Sequence, residues 1–315
     1  MLTDPALRQT LRGIHITMVT PFDRSFEVDE PRLRALVDRV IANGIDVINY
    51  PLTNGEGASL TFEEHRRVIT IVAEQAAGRV PYYAGVPRTS TWEAVALAKH
   101  AEAVGATGVV GLQPYYFKLA QDEIHEHYRR LTEASRLPVI VYNHPAATKV
   151  SITVDEALRL AELPTVIGFF PTNTEIGELY EFSVALRDKL LLLGGREEVT
   201  LFTRLLGCEA ISSSVFHFAP DLMREIWTAV QAGDDARAAA SFARLAAWRR
   251  PIKRRVEAGY FGAFATYVKA SMELLGWPVG DVRPPLVPLA PAEREELRQV
   301  LERDMQLKLG EQRGV

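Results

Sequence analysis

Residues 44–64 read GIDVINYPLTNGEGASLTFEE. The stretch holds one complete strand–turn–helix unit. A short apolar run, VINYPL (47–52), meets a small polar turn, TNGEG (53–57). Thr61 then precedes Glu64 by three residues, the spacing of a capping box that opens a helix. That helix, TFEEHRRVITIVAEQAAG, closes at Gly78. Working outward, similar runs recur at nearly regular spacing: GIHITMVT (13–20), PYYAGV (81–86), GVVGLQP (108–114), PVIVYN (138–143), VIGFFPT (166–172), KLLLLGG (189–195) and CEAISSS (208–214). Most are too continuously apolar for half-exposed strands, so they read as a parallel sheet covered on both faces.

The intervening stretches have helical periodicity. In PRLRALVDRVIANG, Leu33, Leu36, Val37, Val40 and Ile41 fall at three- and four-residue spacing, with Gly44 as a stop. TSTWEAVALAKHAEAVG and SITVDEALRLAELP repeat the pattern. Eight such units predict a (β/α)8 TIM barrel over residues 11–232. An open doubly wound sheet shares the alternation and stays open on pattern alone. No strand is evident after residue 218. APDLMREIWTAVQAG completes the barrel, and helical stretches 234–258, 260–276 and 291–307 predict a C-terminal helical extension over 233–315 packed on it.

Composition narrows the class. In 315 residues, 36 Lys+Arg against 40 Asp+Glu leave a formal charge of −4, with 47% apolar and 24% charged residues. This is a globular balance, which excludes disordered and disulfide-stapled classes. The absence of long basic runs argues against a nucleic-acid partner. No apolar run approaches a membrane span, and MLTDPALRQT lacks a signal-peptide core. The single cysteine, Cys208, fits a reducing compartment, so a cytoplasmic location is expected.

Several segments together resemble the dihydrodipicolinate synthase / N-acetylneuraminate lyase family: MVTPF (18–22), residues 44–64, PYYFK (114–118), VYNHP (141–145), LLGCEAIS (205–212) and VKASMELLGWPVGDVRPPLVPL (268–289). The resemblance implies a barrel with C-terminal helices, assembled as a homotetramer. It also implies a Schiff base between an α-keto acid and a lysine of the sixth strand. Here Ile167 and Gly168 keep that strand's frame, but the lysine position is Phe170. A benzyl group has no amine and cannot form an imine. The resemblance further places Thr53 and Asn54 at the carboxylate-binding turn and Tyr142 as the proton-relay tyrosine. It makes Tyr116 the tyrosine lent by a neighbouring subunit and Gly194 the glycine beneath the carbonyl. Ala147 stands where the synthase branch carries an arginine.

Barrel chemistry sits at the C-terminal strand ends. Thr53, Asn54, Gln113, Tyr115, Tyr116, Asn143, His144, Thr172, Asn173, Gly194 and Ser214 fall at or beyond such ends. The competing reading is that they are turn and cap residues. Catalysis is assigned to Tyr142, Tyr116 and Thr53, and substrate contact to Asn54, Gly194, Phe170, Asn143 and His144. Lys149, past the fifth strand, is the first candidate for a relocated imine-forming amine, ahead of Lys118; Lys269 and Glu56 read as structural. His144 and His217 follow the fifth and eighth strands, but no His/carboxylate spacing supports a metal, so neither metal nor cofactor is expected. Arg249, Arg250, Lys253, Arg254 and Arg255 read as a solvated helix face or a subunit contact. Three functions remain: a lyase or hydratase acting on a small keto acid or related carboxylate without the usual Schiff base, a non-catalytic metabolite-binding barrel, or an aldolase using Lys149.

Overall fold

The computed structural model describes residues 5–172 and 175–310. Eight strands follow one another: β1 Gly13–Thr17, β2 Val47–Tyr50, β3 Tyr82–Gly85, β4 Gly108–Leu112, β5 Val139–Asn143, β6 Val166–Pro171, β7 Leu191–Gly194 and β8 Ala210–Ser212. Each pairs in parallel with its sequence neighbour, and β8 pairs with β1, which closes the ring. Every strand lies inside one of the apolar runs; the residues by which the runs overshoot form the turns at the rim. The structure is therefore the closed TIM barrel, not the open sheet.

Helices alternate with the strands, among them Glu30–Ala42, Phe62–Ala76, Thr91–Ala103, Gln121–Ala134 and Pro220–Ala232. The capping box forms as its spacing predicts: Thr61 accepts from the Glu64 backbone N–H, and Glu64 accepts from that of Thr61. The β7–β8 connection departs from the pattern. It is a 3-10 segment, Glu197–Phe202, and a single helical turn, Thr203–Leu206.

The pleat sorts side chains to two cores. Ile14, Ile16, Ile48, Tyr82 and Val141 face the helices, whereas Val47, Tyr83, Val110, Ile140, Tyr142, Leu191 and Leu193 fill the barrel. Tyr83 occupies so much of the interior that a Cβ on Gly108 would meet its ring at 2.2 Å, so β4 must carry glycine there. In β6 the register against β5 slips by one residue, from Val139↔Val166 to Ile140↔Gly168, as at a bulge. Ile167 and Phe170 consequently both point inward, while Phe169 points outward against Phe182, with centroids 4.8 Å apart.

The C-terminal helices, Asp235–Glu257, Ala263–Leu274 and Pro291–Gln299, pack on the barrel. Trp248 Nε1 donates to Ser271 Oγ at 3.0 Å, joining the first two. The Arg249–Arg255 run is not one solvated face. Arg250, Lys253 and Arg254 are exposed, but Arg255 is buried, paired with Glu293, and donates to the carbonyls of Val287 and Pro288. Arg249 is drawn inward by Glu197 at 2.6 Å and Glu198 at 2.5 Å. Helical spacing carries these two to the packed side, which a composition-based reading of a charge run misses.

Lys269 fastens the extension to the barrel rim. Its Nζ lies 2.6 Å from Glu56 Oε1, with both side chains buried, and donates to the Asp281 carbonyl at 2.9 Å. Glu56 Oε2 accepts from the Arg283 backbone N–H at 2.7 Å. One turn carboxylate thus holds two segments of the C-terminal region. Removing a single member of a buried pair strands the other charge. Lys269→Met is expected to cost about 3–5 kcal/mol in urea unfolding, and Glu56→Gln added to it should restore part of that loss.

Candidate active site

A cavity of about 150 Å³ opens at the C-terminal ends of the strands. Each wall comes from a different strand end. Thr17 ends β1, Thr53 and Asn54 follow β2, Tyr142 and His144 come from β5 and just beyond, and Phe170 and Thr172 from β6 and its exit. Gly195, Arg196 and Glu197 follow β7, and Ser212 and Ser214 belong to β8 and its exit. Arg249, Val256, Phe261, Gly262, Phe264 and Ala265 of the C-terminal region, with Ala146 after β5, complete the lining. None of the described lining residues is a lysine.

Tyr142 stands at the centre. Its ring stacks on Phe170 with centroids 4.5 Å apart and planes 23° from parallel. Its hydroxyl lies 3.3 Å from Thr53 Oγ1. Burial pushes the phenol up to about 12, against the opposing influence of the Thr53 hydrogen bond and the Arg196 charge. At neutral pH the group is an O–H donor, not a phenolate.

His144 lies beside it, its ring 5.3 Å from that of Tyr142 and 5.9 Å from that of Phe261. Thr172 Oγ1 donates to the Asn143 carbonyl and sits 3.0 Å from His144 Nδ1. In the tautomer in which Thr172 keeps that bond, Nδ1 carries the imidazole proton and Nε2 keeps its lone pair. Burial, then the charges of Arg196 and Lys149, lower this histidine to about 4, so the ring is neutral.

The β7 exit supplies the charges. Glu197 is buried, and its Oε1 accepts from the backbone N–H and the hydroxyl of Ser214, both at 2.8 Å. Its Oε2 pairs with Arg249, whose second partner is Glu198. Arg196 has no carboxylate partner among the described residues. Its Nε donates to the Thr172 carbonyl at 3.3 Å. Burial pulls this guanidinium below its ordinary value, with the like charge of Arg249 adding to the effect and Glu198 opposing it.

The structure brings together Thr53, Asn54, Tyr142, His144 and Phe170, and adds Thr172 and Ser214 from the wider set of strand-end residues. Other expected residues lie elsewhere. Asn143 is buried outside the lining; its amide donates to Ser151 Oγ and accepts from the Ile152 N–H, which pins the β5 loop. Gly194 is behind the wall, and the following Gly195 forms it, where a Cβ would lie 2.1 Å from the Pro171 carbonyl oxygen. Gln113 is spent on Thr148 and Val150. Tyr116 is 79% exposed, edge-on to Phe117 and away from the cavity. Tyr115 and Lys149 line an adjoining cavity of about 320 Å³ that shares Thr53, Ala146, Phe261 and Gly262 with the first; the exposed Lys149 Nζ donates to the Ala146 carbonyl at 2.8 Å. Lys118 is exposed, and Asn173 lies outside the described residues. Arg196, Glu197 and Arg249 were missed by sequence reasoning. The signal for the first two was polarity directly after LLLLGG, whereas the approach of Arg249 from a distant helix left none.

Both nitrogens of His217 are engaged. Nδ1 donates to the Ser214 carbonyl at 2.7 Å, and Nε2 accepts from the Val19 N–H at 3.1 Å. No cluster of three or more His, Cys, Asp or Glu residues suited to a metal occurs among the described residues. Burial holds His15, His65, His127 and His217 at about 4 against an ordinary 6.5. These four stay neutral in the fold while the unfolded chain takes up protons below 6.5, so their contribution is full above that pH and is lost as pH falls towards 4. Urea midpoints should therefore drop between about pH 7 and about pH 4.5, by up to roughly 1.4 kcal/mol per pH unit for each histidine. A flat profile there would contradict the burial of neutral imidazoles.

Comparison with known proteins gives a consistent neighbourhood. A family model described as the dihydrodipicolinate synthetase family matches residues 10–304. A 4-hydroxy-tetrahydrodipicolinate synthase of Thermomicrobium roseum is 36% identical over 287 residues, covering 91% of this chain and 92% of that protein. Among solved structures, a dihydrodipicolinate synthase from Bacillus anthracis superposes with a TM-score of 0.86 at 30% identity, over 93% of this chain and 98% of the other. A prophage protein of the dihydrodipicolinic acid synthase family from E. coli K12, solved with pyruvate, gives 0.87 at 26% identity, over 94% of this chain and 99% of the other.

Proposed function

The chain belongs to the dihydrodipicolinate synthetase family, and from that premise we propose that it is a lyase or hydratase acting on a small keto acid or related carboxylate without a Schiff base on β6. The observation that carries this reading is the inward-facing Phe170. It fills the position where the family resemblance expects the amine, and no described residue lining the cavity is a lysine. The pyruvate held by the E. coli relative supports a ligand of the same class here.

In this reading the substrate carboxylate rests on Thr53 and Asn54, whose hydroxyl and amide supply donors at the β2 exit. Its carbonyl oxygen accepts from Tyr142 O–H. The Nε2 lone pair of His144 removes a proton from the carbon next to the carbonyl. The freed electron pair forms an enolate, whose oxygen is stabilised by the Tyr142 proton. When the enolate collapses, the bond to a β-hydroxyl breaks, and that oxygen leaves as water with the proton from His144. Losing the imine removes a covalent electron sink, but positioning and oxyanion donors retain a large share of rate enhancement. Tyr116 takes part only across a subunit contact, in a cytoplasmic homotetramer.

Incubation with pyruvate and longer keto acids, followed by borohydride reduction, should leave the protein mass unchanged. Tyr142→Phe should lower kcat by about 10²–10³ with little change in KM, the usual loss for one oxyanion donor. An adduct on Lys149 or any other lysine would overturn the imine-free mechanism. Saturable keto-acid binding with no turnover by the unmodified protein would instead assign the cavity a purely binding role.

A further inference from the structure

We propose that Arg196 anchors a second anionic group of the ligand, so that the cavity is built for a substrate with an acidic group at each end rather than for a simple keto monoacid. This rests on reading the cavity as a small-carboxylate site, but not on the chemistry performed there.

The charges around the β7 exit motivate it. Arg196 is followed in the chain by Glu197 and Glu198, and neither makes an ion pair with it. Both turn to Arg249, and Glu197 uses its other oxygen on Ser214. Arg196 therefore brings a guanidinium without a contacting carboxylate to a partly buried cavity wall, its charge offset only at a distance by Glu198 and Glu197, and its one hydrogen bond among the described residues runs from Nε to the Thr172 carbonyl. That bond fixes the base of the fork and leaves the terminal N–H groups for a ligand. A desolvated charge without a partner is costly, and such groups persist where a ligand supplies the counter-charge. A planar guanidinium suits the bidentate grip of a carboxylate.

Topology gives the spacing. Thr53 and Asn54 leave β2, Arg196 leaves β7, and the ring order β2–β1–β8–β7 sets these strands three places apart, nearly across the mouth. Donors on facing walls match a ligand with an anion at either end. The cavity, at about 150 Å³, is smaller than drug-sized pockets and keeps that ligand to a few carbons.

The test uses two keto acids of equal chain length, 2-oxopentanoate with one carboxylate and 2-oxoglutarate with two, titrated calorimetrically into the full chain. The wild type should bind 2-oxoglutarate at least about tenfold more tightly, in line with a charge-assisted bidentate pair. Arg196→Met should erase that preference to within about twofold, and Arg196→Lys, which keeps the charge but not the fork, should fall between. Affinity for 2-oxopentanoate should be the same in all three proteins, which shows that the cavity is intact. Equal binding of both acids by the wild type, or an undiminished preference in Arg196→Met, would overturn the assignment of Arg196. Binding of neither acid by the wild type would overturn the small-carboxylate reading beneath it, and the borohydride result bears on neither.

Discussion

The stack of Phe170 on Tyr142 governs what the mouth of this barrel can do. The pleat of β6, reset by the slip beside Val139 and Ile140, sends Phe169 to the helices and Phe170 into the interior. There the benzyl ring takes the level at which the cavity begins and lies flat against the phenol of β5. The contact covers one face of the Tyr142 ring, and burial as a whole is the main reason its proton is held so firmly. A protonated phenol beside a neutral imidazole places a proton donor next to a proton acceptor.

Around that apolar centre the charges are arranged in pairs that shape the rim. Glu56 with Lys269, and Glu197 with Arg249, each join a barrel loop to a C-terminal helix. These links carry Phe261 and Phe264 to the cavity lining, so the extension belongs to the site as much as the strands do. Buried pairs of this kind add little net stability over apolar substitutes, but breaking one is costly. Their value here is register: the loop after β7 cannot shift without releasing Arg249 from one or both glutamates.

Much of this was legible in the chain. Continuous apolar runs at regular spacing, with a capping box after the second, are local signals and gave the correct strand count and order. The convergence of Thr53, Asn54 and His144 followed from placing them at strand ends, and Tyr142 joined them through the family resemblance. What resisted was anything decided by tertiary partners. Asn143 reads as a mouth residue, yet its amide is consumed by Ser151 and Ile152. Gly194 and Gly195 differ by one position, and only the strand's end point tells which one lines the wall. Arg249 looked like one cation in a solvated run because its partners lie 51 and 52 residues earlier in the chain.

Arg196 shows how these layers combine. Its charge reaches both groups that would handle protons, lowering His144 and opposing the rise at Tyr142. While the guanidinium is unaccompanied, it makes the imidazole a weaker base. Burial is the larger cause of that depression, so a carboxylate settled on Arg196 would relieve only the smaller, charge-derived part of it. The same anion weakens the influence that favours loss of the Tyr142 proton, so the phenol stays a donor. A ligand lacking the second acid group fills the Thr53 end but leaves the imidazole depressed. In such a site, discrimination between one acid group and two acts on proton transfer as well as on binding, through a single side chain that touches neither the transferred proton nor the carbonyl.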